Sequence, residues 1–269
     1  MVLGIYGISS QSGMAYFADY IGRGYKVIGY ARASTHGIAV VEAVKSAGGV
    51  NLERPQNSNH EESRFIPLGA NVVTNDVRHL VQGSDIIIIA LPSIYQVDAV
   101  REMVKIPEFL LKRIPVVLSP SRTVATPYIW QVTGENYPVV CFSTCPYSCK
   151  KPGLNTTIIK RRKRTWAISL EGQFSQIAIR RIKELFPQAA VTRIPALTSL
   201  NNIGAVFHCA TYILNHEAIQ KAEQEGKTFS FYIVRYSQTS RSRQHIGANR
   251  SSKVADSQQV GYERVWPEK

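Results

Sequence analysis

The sequence predicts an α/β fold: a doubly wound, Rossmann-like parallel sheet followed by the start of a second, all-α domain. Short, continuously apolar segments alternate with amphipathic helical stretches through about the first 190 residues. Strands that are apolar on both faces are typical of a parallel sheet covered by helices on both sides. Near Pro195 this alternation stops and helical periodicity takes over, which indicates a change of domain.

The first part of the chain predicts its elements in a regular order. Each strand is a short apolar segment bounded by glycine, proline or polar residues, and each helix has apolar residues at helical spacing. A polar stretch with two prolines, between the second helix and the third strand, predicts a loop. In chain order the predictions are strand Val2–Ile8, helix Ser12–Gly22, strand Lys26–Ala31, helix Gly37–Ala47, loop 51–69, and strands Asn71–Thr74, Asp85–Leu91, Pro115–Leu118 and Pro138–Phe142.

The second part predicts a hairpin with the basic run Lys160–Arg164 at its tip, and then mainly helices. The tail is rich in serine and glutamine and poor in aliphatic residues, which predicts disorder or a sequence foreign to the fold. The domains are expected at 1–194 (α/β), 195–234 (the beginning of a helical domain) and 235–269 (the tail). The predicted elements are hairpin strands Asn155–Ile159 and Thr165–Leu170, helix Phe174–Leu185, strand Ala190–Ile194, and helices from Thr198 to about Glu217 and on to Gly226.

The composition is that of a folded globular protein, with 269 residues, 44% hydrophobic and 19% charged. Four cysteines do not suit a disulfide scaffold and favour a reducing compartment. The longest apolar run, Ile86–Leu91, is too short to span a membrane, and no basic segment precedes the apolar run Met1–Tyr6. We therefore expect a cytoplasmic protein that does not bind membranes.

The formal net charge of +13 is concentrated in two places. The run Lys160–Arg164 carries five positive charges, and the tail from Arg235 carries an excess of four. The rest of the chain is only mildly basic, which differs from the continuous basic face of a nucleic-acid-binding protein. Nucleic-acid binding through the run and the tail remains an alternative. Three cysteines spaced by four residues around Pro146 do not match a zinc pattern, so no metal site is expected.

A turn of small residues connects the first strand to the first helix and has the pattern G-x-x-S-x-x-G. Small side chains permit positive φ and leave the backbone open to a phosphate, and the N–H groups of the following helix point towards such an anion. This is a variant of the dinucleotide fingerprint, with serine in place of the middle glycine. The alternative is a tight turn without a ligand. The candidate cofactor-binding residues here are Gly7, Ser9, Ser10, Gln11, Ser12 and Gly13.

The residues after the second strand predict NADP rather than NAD as the cofactor. NAD-selective folds place Asp or Glu there to bind the ribose 2′-hydroxyl, whereas this chain has no carboxylate there. Arg32 could pair with a 2′-phosphate, helped by Ser34 or His36. The alternative is that Arg32 is an ordinary exposed arginine. After the fourth strand, Leu91, Pro92 and Ser93 lie at the edge where ligands bind in open α/β sheets, and they complete the cofactor-binding prediction.

A polar stripe on the predicted helix of the second domain carries the candidate chemistry. Asn201, His208 and Asn215 are seven residues apart and share one helix face with Tyr212, while apolar residues fill the other faces. Histidine titrates near neutrality and is suited to proton transfer to a carbonyl or imine during reduction. The alternative is a hydrogen-bonded histidine at a helix interface.

The chain resembles the octopine/nopaline-type opine dehydrogenases over about residues 1–234. In that family a dinucleotide domain precedes a helical domain whose first helix carries an L-N-N…H signature, matched here by Leu200, Asn201, Asn202 and His208. The stretch Ser143–Lys150 resembles the family's E-T…P-Y segment. The resemblance also implies that most of the family's C-terminal helical domain is missing, and the tail is interpreted as truncation or a reading-frame change.

The resemblance implies an NAD(P)H-dependent reductive condensation of an amino acid with an α-keto acid. His208 would be the proton donor, and Asn201, Asn202 and Tyr212 would bind substrate. The expected partners are these two small molecules, and the chain is expected to bind neither nucleic acid nor membranes. A homodimer is the assembly considered. The alternatives are a non-catalytic NADP-binding remnant and a basic nucleic-acid-binding protein.

Overall fold

A computed structural model describes residues 1–53, 63–121, 125–200, 210 and 212–226. The chain divides between residues 201 and 202 into two compact units. The predicted domain boundaries at 194 and 234 stay predictions, and the tail 235–269 lies outside the described residues.

The first unit is built on an eight-stranded sheet in the order β12-β11-β8-β7-β6-β1-β2-β5. The six neighbouring strands β5, β2, β1, β6, β7 and β8 are all parallel. Strand β11 is antiparallel to β8, and β12 is parallel to β11. This order confirms the doubly wound, Rossmann-like prediction. The strands are β1 (Val2–Tyr6), β2 (Lys26–Tyr30), β5 (Val72–Thr74), β6 (Ile86–Ile89), β7 (Val116–Leu118), β8 (Val139–Phe142), β11 (Trp166–Glu171) and β12 (Ala189–Val191).

Helices cover both faces of this sheet because its central strands are apolar on both sides. In β6, Ile86 and Ile88 join one core cluster, while Ile87 and Ile89 join the other. Helices α1, α2 and α7 pack in the first cluster, and α3 to α6 in the second. The helices are α1 (Gln11–Gly22), α2 (Thr35–Ala47), α3 (Val77–Gly83), α4 (Gln96–Val104), α5 (Pro107–Leu111), α6 (Thr126–Thr133), α7 (Gln176–Leu185) and α8 (Ala196–Leu200).

A second sheet, in the order β4-β3-β10-β9, packs on the outer side of α1. Because α1 is covered by a sheet on each side, every residue from Gly13 to Ile21 is buried. The predicted loop 51–69 is therefore wrong at its ends, where β3 and β4 lie. In β3 the half-buried Asn51 separates the buried Val50 and Leu52, and of the four residues of β4 one, Ile66, is buried. Neither strand therefore forms a continuous apolar segment in the sequence. The strands are β3 (Gly49–Glu53), β4 (Arg64–Pro67), β9 (Tyr147–Lys150) and β10 (Thr156–Arg162).

The predicted hairpin of Asn155–Ile159 with Thr165–Leu170 is also wrong. The two strands do not pair: β10 pairs with β3 and β9 in the second sheet, and β11 pairs with β8 and β12 in the first. The basic run does not form a hairpin tip, since Lys160, Arg161 and Arg162 are the exposed last residues of β10. Strands that follow each other in sequence often pair, but here α1 lies between the two sheets to which they belong.

Only a short part of the predicted helical domain is described. Helix α8 begins at Ala196 and packs on β8 and β11 of the first unit, and residues 201–209 lie outside the described residues. The last described helix, α9 (His216–Gln224), begins after Asn215, so a helix boundary lies close to the predicted end near Glu217.

Candidate functional site

In the turn after β1, other parts of the chain lie so close to the backbone that there is no room for a side chain at Gly7 or Gly13. Gly7 has φ +103°, and a Cβ there would lie 2.7 Å from the Cδ2 of Leu91. A Cβ at Gly13 would overlap the carbonyl oxygen of Gly7. Both positions therefore require glycine, one for its backbone angle and the other for the tight contact between α1 and the end of β1.

Ser10, in the place of the middle glycine, is the N-cap of α1. Its hydroxyl accepts a hydrogen bond from the N–H of Gly13 at 2.9 Å and donates one to the carbonyl of Ala90 at 2.7 Å. The capping bond uses one of the free N–H groups of the first turn, while those of Gln11 and Ser12 have no carbonyl within the helix to accept them. Gln11 is exposed, and Ser9 and Ser12 are half-buried.

The hydroxyl of Ser10 also connects the turn to the loop that follows β6. The sheet order reverses between β1 and β6, since the chain builds outward to β2 and β5 on one side of β1 and outward to β7 and β8 on the other. Ligands of open α/β sheets bind in the crevice at this reversal, outside the carboxyl ends of the strands. The structure therefore brings the predicted residues Leu91, Pro92 and Ser93 to the same crevice as the glycine turn.

Gln96, which the sequence did not single out, holds two loops of this edge together. Its side chain is fully buried, and its amide donates to the carbonyls of Leu91 at 3.1 Å and Pro120 at 2.8 Å. A buried glutamine at the first position of α4 was not recognisable, because its partners are backbone carbonyls of loops distant in sequence.

Ser34 has a structural role that the sequence did not predict for it. It is the N-cap of α2, and its hydroxyl accepts from the N–H of Gly37 at 3.1 Å. Ser34 therefore begins a second helix N-terminus two residues after Arg32, and its role beside a 2′-phosphate stays a prediction.

Arg32 is engaged by a carboxylate from α4. Its Nε donates to the hydroxyl of Tyr6 at 2.8 Å and to Oε2 of Glu102 at 3.1 Å. The hydroxyls of Tyr6 and Tyr30 both donate to the same carboxylate. Burial, followed by the contact with Glu102, raises the pKa of both tyrosines above their ordinary value, so they remain protonated donors. We name these four residues the Glu102 cluster.

A carboxylate is thus present near the end of β2, although the segment after that strand contains none. One signal could have indicated it: Tyr6 and Tyr30 end neighbouring parallel strands in the same register, and two adjacent buried hydroxyls require an acceptor. The sequence does not reveal that α4 provides it.

A second polar cluster lies between α1 and the small sheet. Asp19 accepts from Nη2 of Arg162 at 2.9 Å and from the hydroxyl of Tyr147 at 2.7 Å, and it lies 3.7 Å from Nη1 of Arg23. We name these four residues the Asp19 cluster. They contribute to the wall of a cavity of about 210 Å³, with Tyr20 and Trp166 among its other residues.

The predicted catalytic machinery is described only at one residue. His208, Asn201 and Asn202 lie outside the described residues, and Tyr212 is in the described part, where the residue is 57% exposed. Their assignments stay predictions. Across the described ranges, no trio of His, Cys, Asp or Glu side chains is arranged to hold a metal ion. None of the described helices is long and apolar enough to cross a membrane.

Solved structures share this fold at low sequence identity. Octopine dehydrogenase solved with NADH and L-arginine matches with a TM-score of 0.58 and 15% identity, over 72% of this chain and 49% of that chain. Yersinopine dehydrogenase with bound NADP⁺ matches with a TM-score of 0.57 and 12% identity, over 72% and 48%. The first unit has the fold of a Rossmann-like dehydrogenase domain. A 2-dehydropantoate 2-reductase from Porphyromonas gingivalis W83 has a TM-score of 0.57 and 14% identity, over 84% and 77%.

The chain spans about half the length of the octopine and yersinopine dehydrogenases that it matches. No protein-family model matches the sequence, and the comparison with curated proteins finds no match. At these identities the likeness establishes the fold of the Rossmann-like unit, and function has to be argued from its residues.

Proposed function

We propose that the protein is an NAD(P)-dependent oxidoreductase whose cofactor binds at the crevice between β1 and β6. The observation that supports this most directly is the Gly7–Gly13 turn, which lies at the reversal of strand order. A side chain at Gly13 would overlap the backbone, and the first-turn N–H groups of Gln11 and Ser12 remain available to a pyrophosphate. Octopine dehydrogenase solved with NADH and yersinopine dehydrogenase with NADP⁺ share this fold.

The residues of the crevice have different roles in binding the cofactor. The helix N-terminus binds the pyrophosphate, Gly7 and Gly13 allow its approach, and Ser10 fixes the turn to the loop after β6. Gln96 fixes that loop to the one after β7. The cofactor, when bound, supplies the hydride.

The finer proposal is a reductive condensation of an amino acid with an α-keto acid through an imine. It is supported by the L-N-N…H signature and by octopine dehydrogenase structures with L-arginine and with pyruvate, which share the fold. His208 donates the proton, and Asn201, Asn202 and Tyr212 hold the substrate, as the resemblance implies. The amine and the keto acid lose water to form the imine, the hydride adds to the imine carbon, and a proton is needed on its nitrogen. A histidine can provide that proton near neutral pH.

Cofactor binding is tested with a matched pair of substitutions at two helix N-termini. Gln11→Glu places a carboxylate at the first residue of α1, next to the proposed pyrophosphate, and Gln176→Glu makes the same change at the first residue of α7. Each helix begins after a serine N-cap that accepts from the N–H three residues on. A carboxylate there favours either helix, so both variants should remain folded.

The expected result is that only Gln11→Glu weakens NADH and NADPH binding in a fluorescence titration, by about tenfold or more, since it sets a like charge beside the pyrophosphate. If Gln11→Glu and Gln176→Glu bind the nucleotides with equal affinity, the pyrophosphate does not bind at the Gly7–Gly13 turn. Wild-type protein that binds neither nucleotide at millimolar concentration would remove the proposal altogether.

Turnover is tested separately, by following NAD(P)H oxidation with pyruvate and a panel of amino acids in the wild type and in His208→Ala. Turnover that requires both substrates and disappears in the variant supports the condensation. Cofactor binding with no turnover supports a binding protein instead, and turnover unaffected by His208→Ala contradicts the assigned proton donor.

A further inference from the structure

We propose that Glu102 determines the choice between NADH and NADPH, because it holds the arginine that a 2′-phosphate would need. The inference rests on the proposed nicotinamide site. It names a specificity-determining residue on α4, which lies outside the glycine turn and the strand ends that form that site. The observation behind it is the position of Arg32, whose Nε is bonded to Glu102 and Tyr6 rather than left available.

The Glu102 cluster fixes the position of Arg32 through contacts that join β1, β2 and α4. Tyr6 at the end of β1, Tyr30 at the end of β2 and Arg32 just beyond it all direct hydrogen-bond donors at the one carboxylate on α4. The two tyrosine rings lie 4.7 Å apart and are both buried. Glu102 is therefore held by three donors, and its side chain is still 28% exposed at the edge of the sheet.

The charge at this edge follows from that pairing. An unpaired Arg32 would attract a ribose 2′-phosphate, whereas the Arg32–Glu102 pair has no net charge, and a phosphate near it also meets the carboxylate. A ribose 2′-hydroxyl carries no charge and can donate a hydrogen bond to a carboxylate. Glu102 thus lowers the affinity for NADPH relative to NADH, against the preference that Arg32 suggests by itself.

The test is Glu102→Gln, which removes the charge and keeps the shape and the acceptor for the tyrosine hydroxyls. The dissociation constants of NADH and NADPH are measured by fluorescence titration. We expect the ratio Kd(NADH)/Kd(NADPH) to rise about tenfold through tighter NADPH binding, the lower end for a charged hydrogen bond because Arg32 is 44% exposed. Adding Arg32→Gln should cancel the gain.

Asp98→Asn is the matched control. It removes the same charge from the same helix, where Asp98 pairs with Arg101 at the surface, and it should leave the ratio within about twofold of the wild type. Glu102→Asp provides a second variant that retains the charge, withdraws it from Arg32 by one methylene, and should raise the ratio by less than Glu102→Gln.

Three outcomes decide the inference. A wild type that binds either nucleotide, with a ratio unchanged in Glu102→Gln and Glu102→Asp, overturns the role of Glu102 and leaves the proposed cofactor site standing. An equal rise in Asp98→Asn shows a general charge effect and also overturns it. A wild type that binds neither nucleotide defeats the proposed function, and the inference with it.

Discussion

The Asp19 and Glu102 clusters use the same groups in two different surroundings. Each consists of one carboxylate that accepts from a tyrosine hydroxyl and an arginine. The Asp19 side chain is 7% exposed and lies between α1 and the small sheet, whereas that of Glu102 is 28% exposed at the carboxyl edge of the large sheet. Burial, rather than residue type, is the main difference between the two clusters.

The largest expected difference is in stability. Asp19→Asn should lower the free energy of unfolding by about 3 kcal/mol, because it removes the buried charged acceptor of hydrogen bonds from Tyr147 and Arg162, each worth about 1.5–3 kcal/mol. Glu102→Gln should lower it by less than about 1 kcal/mol. Urea denaturation of both variants measures the two values. Similar losses would show that the two clusters do not differ in the way their burial suggests.

Alkaline pH should make the clusters behave alike, because the tyrosines of both are buried. Burial, with the neighbouring Tyr20 and Asp19, raises the pKa of Tyr147, and the pKa of Tyr30 is raised as well. A tyrosine in the unfolded chain loses its proton at about pH 10. The unfolded state therefore binds fewer protons above that pH, so the stabilisation is complete below about pH 10 and is lost as the pH rises further.

Tyr147→Phe and Tyr30→Phe should each make this alkaline loss less steep, by up to about 1.4 kcal/mol per pH unit. The measurement is the free energy of unfolding between pH 8 and pH 11, with the exposed Tyr128 changed to phenylalanine as the control. A slope that neither substitution changes would contradict the protonated state assigned to these tyrosines.

The two arginines should differ by a smaller amount. Arg162→Gln leaves a buried carboxylate with Tyr147 and the more distant Arg23, and should cost about 1–2 kcal/mol. Arg32→Gln removes a partner that is 44% exposed from a carboxylate that keeps two tyrosine donors, and should cost about 0.5 kcal/mol. Thermal or urea unfolding distinguishes these values. A larger cost for Arg32→Gln would reverse the ranking of the clusters.

The smallest expected effect is the response to salt. Raising the ionic strength from 0.1 to 1 M should remove most of the stability difference between wild type and Glu102→Gln, a few tenths of a kcal/mol, because exposed pairs are screened. The difference for Asp19→Asn should persist. Equal salt sensitivity in the two variants would show that water reaches Asp19 as readily as Glu102.

The central strands of the large sheet could be predicted from the sequence because β6, β7 and β8 are apolar and buried throughout. The glycine turn could be predicted because its spacing is local, whereas the place of β11 in this sheet could not. The small sheet could not, since polar or exposed residues interrupt the apolar ones in β3 and β4, and β10 ends in exposed basic residues. The turn residues proposed for the site could be named from the sequence for the same reason, because they are close together in the chain. Glu102 and Gln96 were missed because they act on loops and strand ends far away in the chain.

The covering of α1 by a second sheet has a consequence for synthesis. The strands that shield its outer side include β3 near residue 50 and β10, which ends at Arg162. A ribosome must therefore extrude more than half of the polypeptide before this helix is enclosed, and pairing so distant in sequence is slow. Until then the nascent chain displays an apolar surface that is prone to aggregation.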